Sequence, residues 1–316
     1  MAHEIDMTTG RASAAFARTP AWHKLGRVLP GSMTTIEALE YAGLNWLVEC
    51  RPLYRCQNDG TMVTVDNDRC VVRTDTDAVL GLVGSQFQPC QNHHLSGFLD
   101  AVIGQGARIE SAGALHGGRK IWFLCALKES YDIVPGDQVK PYALFVNGHD
   151  GTTRLRVLPT TVRVVCANTL SLATDRERLG MTMRHDGKLD DNIRRAQEAL
   201  GLVYTAVQHH EIQARELASR QLRADQRVQY LAECVRRLEL SEERERLVIS
   251  QVVDLLDSST NTLPGIRGTA WSAYNAFSEW IDHSPRKTGS DVRLESNWMG
   301  EGHRLKSAAW QLALAS

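Results

Sequence analysis

The residues from Lys140 to Arg184 form the one locally basic stretch of this chain. Lys140, Arg154, Arg156, Arg163, Arg176, Arg178 and Arg184 stand against Asp150, Asp175 and Glu177, so seven cations less three carboxylates leave an excess of four. The whole chain carries a formal net charge of only −1. Any nucleic-acid binding must therefore use a local patch rather than a global field. Arg154 and Arg156 are two residues apart on a candidate strand, and that spacing projects both from one face. Guanidinium groups grip phosphate oxygens bidentately, so an arginine row beside a glycine turn suits a phosphodiester backbone. The plain alternative is a solvated outer sheet face with a few ion pairs.

Other candidates flank this row. Arg119 and Lys120 would extend the cationic track, Arg163 would continue it, and Gln91 could reach a base edge. Trp122 or Phe87 would stack bases if exposed, with core packing as the competing use of both. His149 sits with Asn147 and Asp150 at a turn, where Asn, Asp and Gly are expected for geometry alone. A catalytic His–Asp pair there, or a cleft built from the Gly148–Thr152 turn with Cys166, is the rival enzymatic reading. Valines beside Cys166 argue for its burial. Gly148 to Thr153 lacks the lysine of a phosphate-binding loop, and no Gly-x-Ser-x-Gly, His-Glu-x-x-His or Cys-x-x-Cys occurs. The adjacent pairs His93-His94 and His209-His210 would point about 100° apart on a helix, so neither makes a natural two-ligand site. Neither a metal nor a cofactor is expected, and no catalytic residue is assigned.

These side chains must be positioned by an α+β fold, with antiparallel hairpins and packed helices in front and a helical back half. Residues 1–33 read as an irregular leader, and Thr34 or Thr35 caps a short helix through Ala42. Period-two runs follow at 44–54, 62–65, 70–74 and 79–87, with Asn58-Asp59-Gly60 and Asp66-Asn67-Asp68 as turns. Asn92 opens a helix that stops at Gly104. Hairpins pair 108–115 with 120–127 and 142–147 with 152–158, and a last strand from Thr161 to Val165 runs into a helix near Asn168. From about residue 187 the period becomes 3.6, with Ile193, Ala196, Leu200, Val203, Val207, Ala214 and Leu217 on one stripe. Its near-heptad spacing suits a core or a subunit contact. Further helices are expected over 228–238, after Ser241, over 269–281 and over 302–315, with a polar loop at 284–290. Domain boundaries fall at 1–184 and 185–316.

Of 316 residues, 43% are hydrophobic and 23% charged, which excludes a disordered chain. No apolar stretch approaches the roughly 20 residues of a membrane helix, and the first residues lack the pattern of a signal peptide. Seven scattered cysteines read as reduced, mostly buried thiols in a reducing cytoplasm.

Several segments together resemble the phage- and plasmid-borne "phage/plasmid-like protein" family of unknown function. They are Met1-Ala2-His3-Glu4, Ala21-Trp22-His23-Lys24-Leu25-Gly26, the run from Val83 to Asn92, Ala112-Gly113-Ala114-Leu115 with Arg119 to Trp122, Asn147 to Thr152, Arg163 to Leu170, Ala273 to Phe277 and Asp282-His283. The sequence departs from the family's usual pattern at Ala21, Phe87 and Cys90. The resemblance implies a passenger of mobile elements, often near functions that handle single-stranded DNA. Element order around 79–180 is also similar to that of single-strand annealing proteins of the RecT and Erf groups. The leading expectation is a single-stranded DNA binding or annealing protein for recombination or replication. It would self-assemble, with a host or phage replication protein as a further partner and no membrane association. A host-defence antagonist or a protein-binding module without DNA activity are the other readings.

Overall fold

Period-two runs build two sheets in the computed structural model, which describes residues 5–18, 25–104, 106–127, 129–153, 155–163, 168–170, 181–183, 189–283 and 292–315. In the larger sheet, β1 (Ala14–Ala17) pairs in parallel with β2 (Arg27–Leu29) and antiparallel with β6 (Arg108–Leu115). From β6 the sheet continues antiparallel through β7 (Lys120–Ala126), β9 (Gln138–Gly148), β10 (Leu155–Arg163) and β11 (Asn168–Leu170). Short strands β8 (Tyr131–Asp132) and β12 (Met181–Met183) pair with β9 and β10. A second sheet has the order β3 (Val48–Cys56), β4 (Met62–Arg73), β5 (Val79–Gly84). Strands in front and helices behind make the fold α+β, as the patterning predicts.

Four local expectations are corrected. The leader is not irregular throughout, because it supplies β1 and β2. Asp66-Asn67-Asp68 is no turn: β4 runs straight through it, and Asn67 absorbs the irregularity at φ 68°, a conformation that asparagine tolerates. Thr161 to Arg163 is the end of β10 rather than a separate strand. Asn168 opens no helix; it lies on β11, opposite Arg163. Pairing with the end of β10, only five to nine residues back, places it there. The predicted polar loop at 284–290 lies outside the described residues.

Helix α1 (Thr35–Tyr41) starts in a capping box. The Thr34 hydroxyl accepts the Glu37 N–H at 3.2 Å, and the Glu37 carboxylate accepts the Thr34 N–H at 2.9 Å. A 3-10 turn at Asn92–Leu95 leads into α2 (Ser96–Gly104). The back half holds α3 (Leu189–Ser219), α4 (Ala224–Arg236), α5 (Glu242–Asp254), α6 (Ala270–His283), α7 (Val292–Trp298) and α8 (Glu301–Ala315). Of these, α7 was not expected from the sequence.

From Ala199 onward the stripe on α3 is consumed inside the chain. Ala199, Leu200, Val203, Ala206 and Val207 join the core beneath the central sheet, whereas Ala214, Leu217 and Ala218 join the helical core. One helix thus belongs to both halves. In the helical core the His210 ring stacks on Trp310 at 4.6 Å, and its Nδ1 lies 2.8 Å from the Tyr131 hydroxyl. Asp282 and Lys306 form a buried pair at 2.7 Å. Among the described residues no helix is long and apolar enough to cross a membrane. Cys90, Cys125 and Cys234 are buried free thiols, and burial pushes Cys90 up to about 12, which makes it inert.

The central sheet has two unlike faces. One packs Phe123, Phe145 and Val157 against Phe98 and Leu99 of α2 and against α3. The other carries a smaller cluster of Trp122, Leu144 and Val146, with Leu124 and Leu158 partly open. Gly113 on β6 makes this second face possible: a Cβ there would meet the Trp122 ring at 2.2 Å.

Candidate functional site

Two groups of charged and polar residues draw together segments far apart in sequence. The first joins the two sheets and is closed. Arg73, at the end of β4, is fully buried; its guanidinium grips both oxygens of Asp75, at 2.7 and 3.0 Å, and also bonds the Asp6 carboxylate. Burial alone would raise the Asp6 carboxyl, but hydrogen bonds from Thr8 and the Arg73 cation more than reverse this and hold it below its ordinary value. Arg73 lies 4.4 Å over the Trp46 ring, whose edge meets His149 at 5.2 Å. The His149 Nε2–H donates to Asn92 Oδ1 at 2.9 Å, and Asn92 Nδ2 donates to the Leu44 carbonyl at 2.9 Å. Gly81 of β5 lets the sheets approach, because a Cβ there would strike the Asp150 backbone at 2.4 Å.

This geometry corrects two predicted contacts. His149 is fully buried, so it can touch neither a nucleic acid nor a substrate at the surface. The Gln91 amide is spent on β3: Nε2 donates to the Val48 carbonyl at 2.7 Å, and Oε1 accepts the Val48 N–H at 2.9 Å. It satisfies a strand edge instead of a ligand. Asn92 is the first residue of the 3-10 turn, with Gln91 in the cap position. Asp150 behaves as turn chemistry predicts, its carboxylate accepting the N–H groups of Thr152 and Thr153 at 2.9 and 3.1 Å. Cys166 and Arg154 lie outside the described residues.

The second group lies on the Trp122 face of the central sheet. Residues directly opposite one another across a ladder share a face. Lys120 is opposite Gly148, Trp122 opposite Val146, and Val146 opposite Arg156; at the other end, Arg108 is opposite Ala126, Ala126 opposite Tyr142, and Lys140 opposite Val162. Lys120, Arg156, Arg108 and Lys140 therefore belong to one face, in two pairs. Six residues of strand separate the pairs, about 20 Å at roughly 3.3 Å per residue. Arg119 is exposed in the turn beside Lys120.

Arg163 does not join this face. Register between β9 and β10 runs unbroken from Arg156 opposite Val146 to Arg163 opposite Val139, so the odd step between the arginines puts them in opposite phases. Trp122 is no free stacking platform either: it is 2% exposed, above Gly113 and beside Trp298 at 6.2 Å. Phe87 is half-buried against the front core.

At the Lys140 end the face opens into a cleft of about 470 Å³ lined by Arg18, Arg108, Glu110, Lys140, Ile103 and Leu127 among others. A bulge between Ile109 and Ser111 places Glu110 there. Its carboxylate holds Lys140 at 2.5 Å, accepts the Tyr142 hydroxyl at 2.9 Å and lies 3.8 Å from Arg18. At the opposite end, Glu295 of α7 bonds His116 Nε2 at 2.7 Å and also Lys120. The His116 bond, with Lys120 outweighing partial burial, brings this carboxyl down to about 2. Arg108, Arg119 and Arg156 are exposed and have no carboxylate partner among the described residues.

Sequence reasoning missed Arg108, Arg18 and Glu110: an unbroken Arg108–Leu115 ladder would put Arg108 out of phase with Lys120, and only the bulge between Ile109 and Ser111 brings the two onto one face. Neither curated proteins nor solved structures match the chain. A family model matches residues 79–310, from β5 into α8, and so takes in Arg108, Lys120, Lys140, Arg156 and Glu295. The chain belongs to the family described as Domain of unknown function (DUF932).

Proposed function

We propose that this chain binds single-stranded DNA at the two cationic ends of the Trp122 face of its central sheet, as an annealing-type protein of a mobile element. The observation that carries the reading is the sharing of one face by Lys120, Arg156, Arg108 and Lys140, in two pairs about 20 Å apart. Lysine and arginine supply phosphate contacts, which fix a strand without reading its sequence. Arg108, Arg119 and Arg156 give up no ion pair among the described residues to make such contacts, so their desolvation is the main cost.

The closed His149 site offers nothing comparable to a small substrate. Self-assembly and a replication-protein partner belong to the same proposal, since many weak phosphate contacts gain most when subunits act together. Fluorescence anisotropy of a labelled oligo(dT) strand tests it. Four phosphate contacts predict a log–log salt slope near −3, about −0.7 per contact. Absence of binding at low salt, or binding with no slope, overturns the reading.

A further inference from the structure

Glu295 meets the sheet face in a way that the binding reading leaves unexplained. It comes from α7, 179 residues away from His116, and places one carboxylate between two nitrogen donors, His116 Nε2 at 2.7 Å and Lys120 Nζ. The neighbouring Trp298 packs beside Trp122, and Met299 joins the same apolar cluster. A carboxylate there presents two anionic oxygens to the donors, as a phosphodiester group would. The contact is only partly withdrawn from water: His116, Lys120 and Glu295 side chains are 33%, 18% and 24% exposed. Solvent access leaves another anion a route to the same donors.

Resting on the single-strand reading, we propose that His116 and Lys120 form a phosphodiester-binding subsite, which Glu295 fills in the free protein and a bound strand takes over. Two consequences follow. A strand must displace an internal competitor at this end of the face, whereas Arg156 beside it is open from the start. Removing the competitor's charge should therefore strengthen binding, although the amide keeps an acceptor for only one of the two native donors.

The test compares oligo(dT) binding by wild type, Glu295→Gln, Lys120→Gln and the double variant, each first checked for a native thermal transition. Glu295→Gln should tighten binding about tenfold with the salt slope unchanged, because the bound strand contacts Lys120 in both proteins and only the internal competitor differs. In the double variant this gain should vanish, because the donor that would use the vacated position is gone. Hydrogen exchange on wild type gives a second readout that needs no variant: amides of 292–299 should exchange faster once the strand is bound. If wild type binds, but Glu295→Gln binds no tighter and 292–299 is unchanged, the subsite is wrong and the binding reading stands. If neither wild type nor Glu295→Gln binds at low salt, both fall.

Discussion

The junction at Arg73 and the face around Trp122 use the same residue types to opposite ends. At the junction the cation is buried, and Asp6, Asp75 and the Trp46 ring surround it. On the face, Arg108 and Arg156 stand exposed, with no carboxylate partner among the described residues. Charge closed in this way holds two sheets together, and any lost partner leaves an uncompensated ion in a poorly solvated place. Charge left open adds little to folding and is available to an anion from outside. The helical half has a closed region of its own at His210, stacked on Trp310 and held neutral by burial. Closed regions should therefore answer to pH and to core mutation, and the open face to salt.

The largest effect should come from breaking the junction. Arg73→Ala strands the buried Asp6 carboxylate and should cost about 3–5 kcal/mol, read as a fall in the urea midpoint. A change below 1 kcal/mol would place Asp6 and Arg73 in a far wetter setting.

Next comes acid. Burial lowers the His210 pKa to about 3 from its ordinary 6.5. The unfolded chain then binds a proton between those values that the folded chain refuses. Stability from this group is complete above 6.5 and declines as pH falls below it. From pH 7 to pH 5 the loss should be about 2 kcal/mol, some 1.5 units at roughly 1.36 kcal/mol each. In His210→Phe, which keeps the ring stack, that part of the acid dependence should disappear from the urea midpoints. An unchanged dependence would move its origin elsewhere.

The smallest effect on folding belongs to the face. Arg156→Ala should shift stability by no more than about 0.5 kcal/mol, while weakening oligo(dT) binding several-fold. A large fall in melting temperature would mean that Arg156 is structural, which would erase the contrast with Arg73.

Sequence made local features legible. The Thr34 cap of α1, the Ser241 start of α5 and the hairpin of 108–115 with 120–127 depend on neighbours within a few residues, and the structure has all three. Features set by distant partners stayed hidden. Gln91 looked open to a ligand because its partner, Val48, is 43 residues away. His149 looked accessible on a turn because Asn92, 57 residues back, and Trp46 close over it. Arg163 seemed to continue a row because β10 was read as two strands; as one unbroken strand, it reverses the phase between Arg156 and Arg163. The basic stretch itself was visible, but its geometric sense came from Arg108 and Lys120, which lie outside it on β6 and β7.

The most direct test of the open face is the salt slope of oligo(dT) binding by an Arg108→Ala, Arg156→Ala double variant against wild type, between about 50 and about 200 mM salt. One arginine comes from each end of the face. With two contacts removed, the slope should become shallower by about 1.4, with the thermal transition unchanged. An identical slope in the two proteins would contradict the assignment of this face to the strand.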